Sequence, residues 1–287
     1  MSDSLADRVV LVTGGSAGIG RSTVARLAAG GARVVTCARG GDRLAEALAA
    51  LPDGVTGVVA DVADAGDRAR LVDRVLDQHG RLDGVVLNAG LGWAGLVEDM
   101  PGEVVEGMVA LNLTGVIELT RLALPHLFAA AAQRGRADVV TVASAAAWSQ
   151  VPPLTVYSAT KAGVQGFVKG LRREVTARGV RVHTVNPGPV ATEWLARGHG
   201  APPASDADAP DRLSRGISSE RVAAQIGRSL TSPWSRTVAV PRWMGLARLG
   251  EVPPVDRALD LLLSRQADRI RRIAARSVAV RTGRPPA

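Results

Sequence analysis

Six short runs rich in valine and other apolar residues recur over the first 190 positions, and longer segments with helical periodicity separate them. Apolar strands that alternate with helices are typical of βαβ units, in which helices cover both faces of a parallel sheet. The predicted strands are Arg8–Thr13, Arg33–Cys37, Val55–Ala60, Gly84–Leu87, Val139–Val142 and Val180–Val185, and the predicted helices lie near 18–30, 41–51, 64–79, 101–133 and 155–178. The pattern therefore predicts an α/β fold with one doubly wound parallel sheet.

The first predicted strand runs directly into the segment TGGSAGIG at Thr13–Gly20. In such a turn Gly14 would allow the sharp bend, Gly18 would let backbone N–H groups approach a pyrophosphate, and Gly20 would let the helix pack closely. The next helix would direct its unpaired N–H groups and positive dipole end toward that anion. The spacing G-x-x-x-G-x-G differs from the general dinucleotide fingerprint, but the strand before it and the helix after it favour nucleotide binding over an ordinary loop.

The end of the second strand bears on which nucleotide is bound. The chain reads Cys37-Ala38-Arg39 there, with no carboxylate before Asp42, whereas an NAD site usually presents Asp or Glu to the ribose 2′-hydroxyl. Arg39 would pair with a 2′-phosphate, and Arg43 would assist it. The alternative is that Arg39 only begins a surface helix. We expect NADP, with NAD as the less favoured cofactor.

The segment YSATK holds Tyr157, the only tyrosine of the chain, and Lys161. Four residues apart on a helix, the phenol and the ammonium share one face. A nearby cation favours the phenolate and would move the phenol pKa toward the working range, which makes the pair a candidate proton donor and its tuner. The alternative is a surface helix with a half-buried tyrosine and a solvated lysine.

Charge and composition narrow the class of protein. Of the net charge of +8, residues 236–287 carry +7, from eleven Arg and four acidic residues, so the rest of the chain offers no basic patch for nucleic acid. A single cysteine, Cys37, fits a reducing compartment. The segment MSDSLADR has no apolar core typical of a signal peptide, and no uninterrupted apolar run is long enough to span a bilayer, so we expect a cytoplasmic protein. The four histidines lack metal-ligand spacing, and no metal site is expected.

Taken in order, these motifs resemble those of the short-chain dehydrogenases/reductases in their single-domain form, over roughly residues 7–195. The resemblance rests on TGGSAGIG (13–20), Asp61-Val62, Asn88-Ala89-Gly90, Asn112, Ser144, YSATK (157–161) and Asn186–Thr192, each at the expected strand or helix end. It implies a Rossmann-like fold and a nicotinamide-dependent oxidoreductase acting on a ketone/secondary alcohol pair.

The resemblance also implies roles for single residues. Ser144 would hydrogen-bond the substrate oxygen, Tyr157 would act as general acid/base, and Lys161 would depress the phenol pKa and hold the nicotinamide ribose. Asn112 would interrupt its helix around a water that relays protons to Lys161. The implied cofactor contacts are Gly14, Ser16, Ala17, Gly18, Ile19, Gly20, Arg39, Asp61, Val62, Asn88, Ala89, Gly90, Tyr157, Lys161, Pro187, Gly188, Val190 and Thr192. Ala17 departs from the pattern, because many NADP users have Arg or Lys there.

Substrate identity is less constrained. Trp93, Trp148 and Trp194 follow strands four, five and six at the edge where ligands bind, and they would line an apolar cleft for a bulky carbonyl or alcohol substrate or else only cap the core. A lid is expected at about 193–217. Other hypotheses are reduction of an imine or activated alkene in the same cleft, and a non-catalytic dinucleotide-sensing protein. The intact Ser144, Tyr157 and Lys161 set argues against a sensor.

The catalytic domain is expected to span 1–240, ending with a strand at Arg236–Val240, and 241–287 to form a helical extension. Leu259, Leu263, Ile270 and Ala274 fall on one side of a predicted helix at Val255–Val280, and Arg265, Arg269, Arg272 and Arg276 fall on another. Packing over the lid or a second subunit is the favoured role for this basic amphipathic helix, and contact with an anionic membrane surface is the alternative. By resemblance we expect a homo-oligomer, with a dimer through the helices at 101–133 and 155–178 favoured over the usual tetramer.

Overall fold

The computed structural model describes residues 5–52, 54–150, 152–190, 216–266 and 271–272. In this part of the chain seven strands form one sheet in the order β3-β2-β1-β4-β5-β6-β7, and each neighbouring pair is parallel. The strands are β1 Val9–Thr13, β2 Arg33–Ala38, β3 Val55–Val59, β4 Gly84–Leu87, β5 Ala137–Val142, β6 Val180–Pro187 and β7 Thr237–Val240. The order reverses direction beside β1, so the crevice above β1 and β4 is the expected ligand site of an open parallel sheet.

Helices connect the strands and cover the sheet. They are α1 Gly18–Ala29, α2 Gly41–Ala49, α3 Ala65–His79, α4 Gly102–Val109, a π-helical turn Ala110–Thr114, α5 Gly115–Arg134, α6 Ala146–Ser149, α7 Thr155–Val175, α8 Ser219–Leu230 and α9 Pro253–Ser264. Short 3₁₀ segments lie at Val97–Asp99 and Thr176–Arg178, and a longer one lies at Arg242–Glu251. The predicted α/β fold and its seven strands are confirmed, with ends that shift by one or two residues.

Two features differ from the prediction. Helix α8 was not predicted, and the C-terminal helix begins at Pro253, two residues before the predicted start, with a first stretch that ends at Ser264, while residues 271–272 are again helical. Arg265 follows the end of α9. The predicted positions 267–270 and 273–280 lie outside the described residues, as does most of the predicted lid.

The two largest core clusters of the described residues lie one on each face of the sheet. Val9 and Leu11 of β1 pack with α3, α5 and α7, whereas Val10 and Val12 pack with α1 and α8. The split follows from the two-residue period of a strand, which points successive side chains to opposite faces. Because both faces are covered, the strand has no polar side and reads as a continuous apolar run.

A buried ionic network joins the strands at the edge opposite the glycine turn. Asp138 Oδ2 accepts hydrogen bonds from Arg8 Nη2 at 2.6 Å and Arg136 Nε at 2.8 Å, and its Oδ1 lies 3.0 Å from His183 Nε2. Burial would raise the pKa of Asp138, but hydrogen bonds from His183 and Arg136 and the charges of Arg8 and Arg136 outweigh it and hold the pKa at about 2. Asp138 is therefore ionised and fully paired at neutral pH.

By length and composition alone, the helical segment 102–134 would also suffice to cross a bilayer. The sequence expectation missed it because Pro125 and His126 interrupt its apolar run. Leu119, Ala123 and Leu127 are fully buried in the cluster that covers the sheet. This packing gives the segment the role of a core helix.

Candidate active site

The turn after β1 has the backbone that its glycines predict. Gly14 and Gly18 have φ values of 73° and 50°, in the left-handed region that favours glycine. A Cβ at Gly20 would lie less than 3.0 Å from the Gly14 carbonyl oxygen and from Asn88 Nδ2. The first turn of α1 thus packs directly on the loop before it, and no side chain other than hydrogen fits at Gly20.

Gly15 is a constraint that the sequence analysis missed. A Cβ there would collide with the Thr36 side chain on β2, and the N–H groups of Gly14 and Gly15 donate to the Cys37 carbonyl oxygen at 2.9 and 3.1 Å. The only sequence signal was a second glycine next to Gly14. These hydrogen bonds fix the glycine turn to the end of β2. The residues expected to bind the cofactor's ribose lie at that strand end.

The N-terminus of α1 has the character of an anion site. Its N-cap residue, Ala17, makes no side-chain cap, and the first turn contains no acidic residue. The N–H groups of that turn and the dipole of a 12-residue helix therefore face the glycine turn without a competing carboxylate. Among the described residues, this arrangement fits the pyrophosphate of a dinucleotide.

Asn88 links the end of β4 to the glycine turn. Its Nδ2 donates to Thr13 O at 2.9 Å, and the N–H groups of Asn88 and Ala89 donate to Thr13 Oγ1, each at 3.0 Å. A Cβ at Gly90 would approach Asn112 Oδ1 to 3.3 Å and Lys161 Nζ to 3.4 Å. The segment 88–90 therefore connects the glycine turn with the residues expected to move protons.

Tyr157 and Ser144 are brought together from α7 and the end of β5. The Tyr157 side chain is buried in a cluster with Trp93, Val104 and Met108, and its phenol hydrogen-bonds Ser144. The Ser144 hydroxyl oxygen also accepts from the Ala146 N–H at 3.1 Å, at the start of α6. The serine is thereby held in place beside the phenol, as the resemblance implied.

Lys161 lies one turn further along α7. Its Nζ donates to the Val142 carbonyl oxygen at 3.1 Å and lies 5.8 Å from the centre of the Tyr157 ring. Burial lowers the pKa of Lys161 to about 8. Burial raises the pKa of Tyr157 to about 12, against the hydrogen bond from Ser144. The structure thus corrects the expected direction for Tyr157, because desolvation of the phenolate outweighs the stabilising contacts.

Asn112 lies within the π turn, fully buried. Its Oδ1 accepts from Leu91 N, and its Nδ2 donates to Leu91 O, both at 2.8 Å. Nδ2 also lies 3.1 Å from Thr160 Oγ1, on the helix that carries Tyr157 and Lys161. The amide therefore ties the loop after β4 to α7, and the interruption of the helix that the resemblance implied is present as a π turn, a feature often found at functional sites.

Arg39 and Asp61 lie at the ends of β2 and β3. Arg39 Nη1 is 4.0 Å from Asp61 Oδ2, and the Arg39 side chain is 65% exposed. Asp61 Oδ1 accepts from Ala63 N at 2.9 Å, which orients its carboxylate. Val62, the other predicted adenine contact, is buried and packs in the core. A solvent-facing arginine is thus available beside the predicted adenosine site.

The end of β6 meets the C-terminal extension. Gly188 N donates to Val240 O at 2.8 Å, and a Cβ at Gly188 would lie less than 3.0 Å from Met244 Sδ. Val190 pairs with Ile217 in an isolated parallel bridge. Thr192 lies outside the described residues. Met244, which sequence reasoning did not single out, therefore packs on the segment predicted to position the nicotinamide.

The three tryptophans predicted to line the substrate cleft have different positions. Trp93 is buried beside Tyr157 in the same apolar cluster. Trp148 is instead covered by Met244 and Ala247 of the 3₁₀ segment, and the Arg248 guanidinium lies 4.4 Å from its ring centre. Trp148 thus packs under the extension, as the core-capping alternative expected, and its place in a substrate cleft stays a prediction. Trp194 lies outside the described residues.

A cavity of about 510 Å³ separates α9 from the loop before α7. Its lining reaches Thr155, two residues before Tyr157, and Gln150 at the end of α6. Apolar and acidic side chains of α9 form the opposite wall, including Leu259, Leu263, Asp256 and Asp260. The extension thus contributes residues to a cavity on the side of the fold where a substrate would enter.

A parallel sheet with a glycine turn at its first βα connection, a serine just after β5, and a tyrosine and a lysine on α7 together define the class of nicotinamide-dependent oxidoreductases. The comparison with known families narrows this class. The model of the short chain dehydrogenases matches residues 8–199, and the chain belongs to that family.

Known relatives agree with this assignment. The chain is 35% identical over 196 residues to dehydrogenase/reductase SDR family member 4 of Oryctolagus cuniculus, an alignment that covers 67% of this chain and 74% of the relative. It is 36% identical over 194 residues to a 3-oxoacyl-[acyl-carrier-protein] reductase of Synechocystis, covering 66% and 77%. The crystal structure of a 3-ketoacyl-(acyl-carrier-protein) reductase from Brucella melitensis complexed with NADH is similar, with a TM-score of 0.74, 26% identity, and coverage of 83% and 99%.

Proposed function

We propose that this protein interconverts a ketone and a secondary alcohol, with NADP as its cofactor. The observation that carries the proposal is the buried pair of Tyr157 and Ser144, with Lys161 one helical turn away. A phenol held by a serine hydroxyl near an ammonium has the geometry of a positioned general acid. Membership of the short-chain dehydrogenase family, and the NADH bound to the Brucella relative, support a nicotinamide cofactor.

Tyr157 would donate a proton to the substrate oxygen, and Ser144 would hold that oxygen by a hydrogen bond. Because these two hydroxyls already meet, an oxygen placed against both would receive two hydrogen bonds as negative charge develops on it. Lys161, with its pKa near 8, can release a proton close to neutral pH and so reprotonate the site. In the oxidative direction the same groups would accept the proton.

NADP, when bound, exchanges hydride with the substrate carbon at its nicotinamide ring. The glycine turn and α1 would hold the pyrophosphate, Asp61 and Val62 the adenine, and Pro187 and Gly188 the nicotinamide carboxamide. The absence of a side chain at Gly90 suits a backbone that lies under the cofactor, since a Cβ there would crowd Asn112 and Lys161. The described residues therefore fit a dinucleotide along the carboxyl edge of the sheet.

The choice of NADP over NAD rests on Arg39. A 2′-phosphate carries close to two negative charges, and the exposed guanidinium can meet it with two parallel hydrogen bonds. Asp61, 4.0 Å away, would share Arg39 in the free protein and accept the adenine ring in the complex. Ala17 leaves the phosphate without the second cation that many NADP users have, so Arg39 would carry most of the preference.

For the substrate we propose a bulky carbonyl compound with an apolar body. Trp93 and its neighbours form an apolar surface beside Tyr157, and Leu96, Leu259 and Leu263 line the outer cavity. A small ketone would leave much of that cavity of about 510 Å³ unfilled.

A panel of ketones and secondary alcohols, followed by NADPH absorbance with NADH in parallel, tests the proposal. We expect substrate-dependent oxidation of NADPH that is faster for bulky apolar ketones than for small ones, and slower oxidation of NADH. The Tyr157→Phe protein is the matched control for adventitious turnover. Absence of turnover across the panel, or an equal rate with NADH, would contradict the corresponding part of the proposal.

A further inference from the structure

The 3₁₀ segment Arg242–Glu251 presents three different faces. A 3₁₀ helix has three residues per turn, so every third residue lies on the same face. Met244 and Ala247 pack against Trp148, and Gly250 lies beside the Trp148 carbonyl oxygen. This first face anchors the segment to the catalytic domain.

The second face is basic. Arg242, Gly245 and Arg248 line a cavity of about 280 Å³ along the edge strand β7, together with Arg236. Among the described residues, no carboxylate forms an ion pair with these three arginines. Glu251 is the one acidic residue in the same helical row. The guanidinium groups are therefore available to an external anion.

The third face is apolar and exposed. Trp243, Leu246 and Leu249 are 68%, 66% and 55% exposed. Beyond the segment, Val252 and Val255 continue the three-residue spacing, and Leu261 and Leu262 of α9 follow. The interfacial strip, as these seven exposed residues are called below, is Trp243, Leu246, Leu249, Val252, Val255, Leu261 and Leu262. Seven large apolar side chains exposed within residues 243–262 mark this segment as a docking surface.

The charges around the interfacial strip identify its partner. Asp256 and Asp260 line the cavity between α9 and the catalytic domain, so they lie on the domain side of the helix. The arginine row is next to the strip, and the sequence after α9, residues 265–287, adds seven arginines and one aspartate. An apolar surface with a tryptophan and adjacent cations matches the boundary region of a bilayer whose headgroups are anionic. A second copy of the chain would instead bring two basic segments together, which electrostatic repulsion disfavours.

We propose that the interfacial strip binds the surface of an anionic lipid bilayer. Trp243 and the leucines would enter the boundary between headgroups and acyl chains, and Arg242 and Arg248 would contact lipid phosphates. Because the first face of the 3₁₀ segment packs on Trp148 and Gly188, the catalytic domain would be held against the membrane with the α9 cavity close to the lipid.

Co-sedimentation of the full-length protein with vesicles tests this proposal without cofactor or substrate. Vesicles of phosphatidylcholine alone are compared with vesicles that also contain phosphatidylglycerol, at low and high salt. We expect binding to the anionic vesicles, weaker binding at high salt because the arginine contacts are screened, and a blue shift of tryptophan emission. No binding to anionic vesicles at low salt would overturn the proposal.

Matched variants assign the binding to the strip. The double substitution Trp243→Glu and Leu246→Glu should lower vesicle affinity by about tenfold or more, since it places two carboxylates at the interface. Trp234→Glu is the control, because Trp234 is 76% exposed but precedes β7, outside the strip. It should bind vesicles as the wild type does.

Two outcomes would refute the assignment. An equal loss in the Trp234→Glu and double variants would show that the strip has no special role. A lower molecular mass of the double variant by light scattering, with no vesicle binding by the wild type, would identify a second copy as the occupant of the strip.

Discussion

Lys161→Met should stabilise the protein at neutral pH while it removes activity. Lys161 is 4% exposed, and burial lowers its pKa from 10.5 to about 8. Methionine has a similar length and no charge, so it keeps the packing of α7 and avoids the cost of burying an ammonium. The site would then be less active and more stable, as expected for a group that serves chemistry and not folding.

The magnitude follows from linkage. Between pH 8 and 10.5 the unfolded chain still binds the Lys161 proton and the folded chain has released it, so this group makes the wild type more stable as pH rises. Lowering the Lys161 pKa from 10.5 to about 8 costs the wild type roughly 3 kcal/mol of its free energy of unfolding below pH 8. The substitution removes this cost but also loses about 1 kcal/mol from the hydrogen bond to Val142 O. Lys161→Met should therefore be about 2 kcal/mol more stable than the wild type at pH 7, and the difference should vanish or reverse near pH 10.

Urea denaturation at pH 7, 8, 9 and 10 measures this difference. Cys37 and Tyr157 also make stability depend on pH here, since burial raises their pKa values from 9.0 to about 11 and from 10.0 to about 12, but both residues are present in both proteins and their effects largely cancel. Lys169→Met is the control, because it makes the same chemical change at an exposed position of the same helix. A Lys161→Met difference that is constant from pH 7 to 10 would refute the reasoning.

Three further predictions concern the site. Tyr157→Phe should bind cofactor almost unchanged, while kcat falls by about 10²–10⁴ for the lost general acid, and a rate within a few-fold of wild type would exclude the assigned role. Arg39→Ala should weaken NADPH binding by about ten- to a hundredfold and leave NADH binding nearly unchanged, and adding Ala38→Asp should invert the preference. Equal losses of affinity for both cofactors in a fluorescence titration would show that Arg39 does not contact the 2′-phosphate. Gly20→Ala should cost about 1–3 kcal/mol of stability and weaken cofactor binding because its Cβ meets the Gly14 carbonyl, whereas Gly166→Ala, with open space around it, should gain up to about 1 kcal/mol in thermal or urea unfolding.

The sequence by itself determined the sheet and the place of the glycine turn. A strand buried on both faces must be apolar along its whole length, so the runs of valine in β1, β2 and β4 identify them without any knowledge of their neighbours. Backbone with positive φ needs glycine, so Gly14 and Gly18 specify the turn locally. Tyr157 and Lys161 share a helix face for the same local reason, since four residues make about one turn.

Only the tertiary structure decided how those groups behave. The pKa of Tyr157 rises because α4, α7 and the loop after β4 enclose it, and no spacing within YSATK contains that information. Trp148 is buried because a segment about a hundred residues further along the chain packs on it. Desolvation and long-range contacts depend on residues that are distant in sequence. The local sequence pattern therefore identifies which functional groups are present, and the packed fold sets their pKa values and their contacts.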